Sequence, residues 1–159
     1  IDTKNVSHET KLKVQFNVPY QQGELTAIGL KDGKEVERQT LKTAGKPARL
    51  KITAESDRVA ASINDLAYFN VEVLDENGLL IPNAEVPVEF EIQGNCQLQA
   101  VGNGNPTDMK SFQQPQVDTF RGKAQLIVRS CEKGGEIVVT AKSEGLESGT
   151  SRVAVTKLE

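Results

Sequence analysis

Apolar and polar residues alternate with a period of two from one end of this chain to the other. Leu12, Val14, Phe16 and Val18 alternate with Lys13, Gln15 and Asn17. Val86, Val88, Phe90 and Ile92 form a second set, with Glu89 and Glu91 between them. Ala124, Leu126 and Val128 form a third, in which Ile127 interrupts the polar face. Ile137, Val139 and Ala141 follow, then Val153 and Val155. Successive side chains of a strand point to opposite faces, so each set predicts a strand with one face on a core and one in water. A helix needs an apolar stripe at a period of 3.6 residues, and no segment sustains one; Ser56–Asn64 offers at most one helical turn. The chain reads as all-β.

Turn chemistry punctuates the runs. Lys31-Asp-Gly-Lys34, Asp75-Glu-Asn-Gly78 and Lys133-Gly-Gly-Glu136 lie between them, and Asp-Gly and Asn-Gly supply the positive φ of tight hairpins. About three strands precede Thr43, too few for a sandwich, which needs roughly seven. Thr43–Ala48 reads as a linker, because Gly45 and Pro47 interrupt strand pairing. Seven or eight strands follow between Arg49 and Leu158, enough for one immunoglobulin-like sandwich of about 100 residues. The expected organisation is a partial β-domain over residues 1–46 and a complete sandwich over 47–159. An incomplete first segment leaves strand edges unpaired, so dimerisation by edge pairing is an expected hazard.

Composition excludes several function classes. The chain has 159 residues, of which 37% are hydrophobic and 26% charged, with a net charge of −3. Those values fit a globular protein rather than a disordered one. The charges alternate in sign, so no basic patch points to nucleic acid and no basic amphipathic stretch to a membrane surface. The longest apolar runs are a few residues, such as Leu79–Ile81, far short of a bilayer span. The sequence shows neither an initiator Met nor a signal peptide, as expected of a chain processed or excised from a longer one. Cys96 and Cys131 are not a C-x-x-C pair, and the single histidine, His8, is distant in sequence, so they build no metal site. Two readings of them stand: a disulfide in an oxidising compartment, or two free thiols packed as small apolar residues.

Longer stretches resemble a known family. "VPYQQGELTAIGLKDGKEVERQTLKTAGKPARLKITAESDR" (Val18–Arg58) resembles the junction of two accessory β-domains in bacterial β-galactosidase-like enzymes of glycoside hydrolase family 2. "DLAYFNVEVLDENGLLIPNAEVPVEFEIQG" (Asp65–Gly94), "VGNGNPTDMKSFQ" (Val101–Gln113) and "FRGKAQLIVRS" (Phe120–Ser130) resemble their C-terminal immunoglobulin-like domain. A looser similarity runs to the immunoglobulin-like repeats of invasin-type adhesins. The resemblance covers about Phe16 to Ala154. It implies a periplasmic or secreted parent whose catalytic glutamates lie on a TIM barrel N-terminal to this region. No parallel βα pattern builds a barrel here, so none of the 22 acidic residues inherits those roles.

Candidate sites follow from chemistry. Glycoside hydrolysis needs two carboxyl groups roughly 5–10 Å apart across a cleft. Glu89 and Glu91 share a strand face, but that face reads as solvated rather than pocketed. His8, in the polar stretch "NVSHETK", is the only imidazole available as a base. Sugar binding relies on exposed aromatic faces. Phe16, Phe69 and Phe90 read as core, which leaves Tyr20, Tyr68, Phe112 and Phe120, with Tyr20 and Tyr68 the sugar-contact candidates. The loop "VGNGNPTDMKSFQ" lacks both the Lys-Ser/Thr of a P-loop and the G-x-G-x-x-G pattern, so it is no phosphate cradle. Asn103, Asn105 and Asp108 are hard oxygen donors and the calcium or loop-contact candidates. A structural reading explains more of them: Gly102 and Gly104 permit positive φ or close approach, Asn103 and Asn105 bond nearby backbone, and Met109 or Phe112 pins the loop to the sandwich. The span 102–121 reads as one long loop, of the kind that contacts partners.

These readings converge on a non-catalytic accessory region of a β-galactosidase-like glycoside hydrolase, without a cofactor, whose partners are the parent's own domains. A carbohydrate-binding module and an adhesin-type repeat for a cell-surface partner are the rivals.

Overall fold

The computed structural model describes residues 2–157, which fall into two compact units divided between Thr43 and Ala44. In the first unit, β1 (Glu24–Lys31) and β2 (Lys34–Lys42) form an antiparallel hairpin. Asp32 and Gly33 join them with φ of 52° and 76°. Two successive positive values make the mirror-image turn whose twist matches that of paired strands, as the Asp-Gly signal predicts. Leu12–Val18 forms no strand, so among the described residues the unit has two strands where about three were expected. Its alternation is strand-like, but no neighbouring strand in the unit takes up its backbone N–H and C=O groups. Phe16, expected in the core, is 39% exposed, with Lys4 Nζ 5.0 Å from its ring centre.

The second unit is a sandwich of nine strands among the described residues. They are β3 (Arg49–Ala54), β4 (Arg58–Ala60), β5 (Leu66–Leu74), β6 (Pro87–Gln93), β7 (Cys96–Gly102), β8 (Gln116–Asp118), β9 (Lys123–Ser130), β10 (Gly135–Lys142) and β11 (Gly149–Thr156). One sheet has the order β4-β11-β10-β6-β8 and the other β3-β5-β9-β7. All pairs are antiparallel except β4 with β11. The Lys133–Glu136 signal marks a crossing rather than a hairpin, since β9 and β10 belong to different sheets. Gly-Gly tells the chain to bend without telling it which sheet to join.

The alternation builds the core. Phe69, Val71, Val73, Leu126, Val128, Ile137 and Val139 are fully buried, drawn from both sheets. Each contributes about 1.5–3 kcal/mol relative to exposure. Buried polar groups are matched. Thr119 Oγ1 donates to Ala84 O and accepts from Val86 N, both at 3.0 Å. Ser130 Oγ lies 2.8 Å from Ser62 O and accepts from Ser62 N. The Asp75 carboxylate accepts from Gly45 N at 2.7 Å, Leu79 N at 2.8 Å and Asn77 N at 2.9 Å. Those N–H groups, Gly45 first and then Leu79, hold its carboxyl below the usual carboxylate range. Asp75 thereby fastens the segment entering β3 to the turn that follows β5.

The span 102–121 is less irregular than its composition predicts. β8 lies within it and pairs with β6. Phe120 and Lys123 exchange backbone bonds around Arg121 and Gly122, at φ of 53° and 73°. A Cβ on Gly122 would sit 2.2 Å from Ile81 O, so this turn requires glycine for space as well as for φ.

Candidate functional site

The loop between β7 and β8 is held by its own side chains. Asn103 Nδ2 donates to Asp108 Oδ2 and to Asp118 O, both at 2.9 Å, while Asn103 Oδ1 accepts from Asn105 N at 2.9 Å. Asn105 Oδ1 accepts from Thr107 N and Thr107 Oγ1. Asp108 Oδ1 accepts from Lys110 N at 3.0 Å, and Lys110 Nζ pairs with Asp118. The Lys110 N–H and then the Asn103 amide keep the Asp108 carboxyl below its ordinary range, and Asp118 pushes the Lys110 ammonium up. The three candidates Asn103, Asn105 and Asp108 thus meet in one network, with their oxygens turned toward the loop's own N–H groups. Among the described residues no group of three His, Cys, Asp or Glu converges as a metal set would.

Two expectations for this loop are corrected. Gly104 has a positive φ of 73°, but Gly102 has neither a positive φ nor a close neighbour, and a Cβ there would meet open space. Met109 does not pin the loop: it is 94% exposed, and Phe112 58%. The anchoring comes instead from Asn103 and from Val101 N donating to Phe112 O at 2.8 Å. The loop is a polar frame that presents two apolar side chains.

The remaining candidates are dispersed. Glu89 and Glu91 lie on the outer face of β6, where Glu91 pairs with Lys142. Glu89 borders a shallow depression of about 450 Å³ shared with Gln116, Lys142 and Glu144. His8 is exposed in a polar turn of the first unit. Tyr20, also in the first unit, is 80% exposed. Cys96 and Cys131 are half-buried free thiols. Burial pushes the Cys96 thiol up, and Cys131 adds to that shift.

Tyr68 belongs to a richer surface, the outer face of β3-β5-β9-β7. It stands in register with Ile127, and Ile127 with Ala100, which makes an apolar row across β5, β9 and β7. The next row is polar: Asn70 faces Gln125, and Gln125 faces Gly102. Gln125 Nε2 donates to Asn70 Oδ1 at 2.9 Å and to Glu55 Oε1 at 3.3 Å, and Asn70 Nδ2 donates to Glu55 Oε1 at 3.0 Å. On the other side of the apolar row, Arg129 Nε donates to Gln99 Oε1 at 2.9 Å, and its guanidinium also reaches Ile63 O. Farther along, Glu72 pairs with Lys51 and Lys123. A depression of about 350 Å³ opens beside Gly102, bounded by Asn70, Gln125, Ile127 and Asn103. Apart from Tyr68, sequence reasoning missed this surface. Its members are outward positions of separate strands, and only the register between strands would have joined them.

Comparison with known proteins agrees with this architecture. The model of the glycoside hydrolase family 2 C-terminal domain 5 matches residues 50–152, within the sandwich. A domain of unknown function, DUF4982, matches residues 1–37. The chain is 35% identical over 147 residues to beta-galactosidase BoGH2A of Bacteroides ovatus, covering 92% of this chain and 17% of that protein. It is 40% identical over 119 residues to a beta-galactosidase of Thermoanaerobacter pseudethanolicus, covering 75% of this chain and 14% of that one. The crystal structure of a glycosyl hydrolase family 2 member from Bacteroides cellulosilyticus superposes with a TM-score of 0.88 at 33% identity, over 98% of this chain and 20% of that one. The chain therefore spans 17% and 14% of the length of these two curated relatives. With its sandwich inside the matched span and its sheets superposing on a solved member, the chain belongs to the C-terminal domain 5 family of glycoside hydrolase family 2.

Proposed function

We propose that this chain is a non-catalytic accessory region of a β-galactosidase-like glycoside hydrolase, exported to the periplasm or the medium, and that its sandwich braces the parent enzyme. The observation that carries this reading is the loop between β7 and β8. A loop with no partner gains nothing from exposing Met109 and Phe112 on a frame of internally bonded Asn103, Asn105 and Asp108. A rigid loop tip with two apolar side chains suits contact with another domain, because little conformational entropy remains to be lost on docking. The family relatives supply the candidate partner, since the curated ones extend far beyond the matched region. The described residues contain no helix long and apolar enough to cross a membrane. The compartment is checked by fractionating cells that express the complete gene.

The test uses the complete enzyme. Met109→Ser combined with Phe112→Ser should leave the unfolding midpoint of the 159-residue chain within about 2 °C of its original value, since both side chains are exposed. The same pair should lower the inactivation temperature of the complete enzyme by several degrees. Unchanged inactivation of the complete enzyme would refute the bracing contact.

A further inference from the structure

The two outer faces of the sandwich are not alike. The β4-β11-β10-β6-β8 face carries charge pairs such as Lys142–Glu91 and Arg152–Glu136, and Thr140 bonds Thr150 across it. That pattern is an ordinary solvated sheet surface, in which exposed pairs contribute little. The β3-β5-β9-β7 face instead sets an apolar row, Tyr68–Ile127–Ala100, between hydrogen-bonding groups already fixed by one another.

We propose that this four-stranded face, centred on Tyr68, Asn70, Gln125 and the opening beside Gly102, binds a neutral oligosaccharide of hexopyranose units. Sugar rings present a C–H face that stacks on aromatic and aliphatic side chains, and equatorial hydroxyls that need both donors and acceptors at the ring edge. The apolar row spans three strands, about 10 Å, the scale of two linked rings. Tyr68 is 36% exposed, enough to offer its ring while its backbone stays in β5. Glu55, Asn70 and Gln125 orient one another, so they are positioned before any ligand arrives, which lowers the ordering cost of binding. Their mutual bonds leave Gln125 Oε1 and Glu55 Oε2 without a protein partner among the described residues. Those two acceptors flank the row and can take hydroxyl protons. On its far side the Gln99 amide is turned by Arg129, which leaves its NH₂ as a donor.

Charge argues for a neutral ligand. Glu72 lies between Lys51 and Lys123 at 3.7 and 3.3 Å, and the Arg129 guanidinium is taken up by Gln99 Oε1 and Ile63 O, so these cations are already engaged rather than clustered for an acidic sugar. Gly102 supplies the room. With no Cβ, it leaves the depression open beside Gln125, and a side chain there would fill space rather than strike backbone. The site is tested separately from the bracing role: the Met109→Ser and Phe112→Ser pair leaves Tyr68, Gln125 and Gly102 in place, while Asn103, which frames that loop, also borders the depression.

The test is titration of the 159-residue chain with neutral β-linked tetra- to hexasaccharides of glucose, galactose and mannose, alongside a galacturonate oligomer. Backbone amide NMR shifts provide the readout. The proposal expects saturable shifts with at least one neutral oligosaccharide, confined to residues of β5, β7 and β9 around Tyr68, Ile127 and Gly102. Gly102→Gln and Tyr68→Ala should each weaken binding at least tenfold. Gly102→Gln should leave the unfolding midpoint unchanged, and Glu91→Gln, on the opposite sheet, should leave binding unchanged. Absence of shifts with every neutral oligosaccharide at 10 mM overturns the proposal, as does binding of the galacturonate oligomer alone. Protection of this face by a neighbouring domain in the complete enzyme, read by hydrogen exchange, also overturns it.

Discussion

Residues 1–43 and 44–159 contain strands of equal regularity, yet only the second unit has an interior. β1 and β2 run in register over most of their length, joined by a turn of the right hand. Nevertheless Leu25, Ile28, Leu30, Val36 and Leu41 are all exposed. In the sandwich the same alternation closes over Phe69, Leu126, Ile137 and Val139, which no water reaches. Backbone pairing and turn chemistry specify a hairpin locally, but a two-stranded ribbon is marginal in water without a face to bury. The comparison separates what shapes a strand from what stabilises it.

The largest effect is expected from cutting between the units. Residues 44–159 should unfold in one cooperative transition, whereas residues 1–43 should show none, as followed by circular dichroism on heating. A cooperative transition in 1–43 would break the comparison outright. Next in size, Phe69→Ala should cost the sandwich about 3–5 kcal/mol in denaturant unfolding, because it leaves a cavity between the sheets. Leu25→Ala in the hairpin should stay within about 0.5 kcal/mol. Equal losses at the two sites would mean that the hairpin has a core after all.

Glycine turns sharpen the contrast. Gly33 and Gly122 share a positive φ, of 76° and 73°. A Cβ at Gly33 meets nothing within 4 Å, whereas at Gly122 it strikes Ile81 O. Gly33→Ala should therefore show only the conformational cost of a left-handed residue, about 1 kcal/mol. Gly122→Ala adds a steric clash and should cost on the order of 3 kcal/mol.

The smallest expected effect is on acid stability. Asp75 has its carboxyl held low by Gly45, Leu79 and Asn77 N–H groups, so it binds a proton more readily unfolded than folded. Its stabilisation is present above about pH 4, the unfolded value. It is lost as pH falls through the lower folded value. Asp75→Asn should lower the unfolding midpoint at pH 7 and flatten its decline below about pH 4. An unchanged acid limb would show that these bonds do not depend on the charge.

Local pattern carried much of this fold and little of its surface. The alternation around Val88, Leu126 and Val139 was legible because each residue's face depends only on its neighbours two positions away. Asp32-Gly33 was legible for the same reason. Leu12–Val18 misled because alternation gives a strand its faces but not a partner. Phe16 followed it out of the core. The Asn103–Asp108 network was visible as composition, since asparagines that bond nearby backbone act within a few residues. Glu55 and Gln125 bond each other across 70 positions of sequence, so that part of the four-stranded face required the register between strands.

The most direct test of the accessory reading is activity of the 159-residue chain itself, assayed with chromogenic β-galactosides and β-glucuronides at high protein concentration. The account predicts no turnover above buffer, because Glu89 and Glu91 stand on a solvated sheet face rather than across a cleft. Turnover that is lost in the combined variant Glu89→Gln and Glu91→Gln would contradict it.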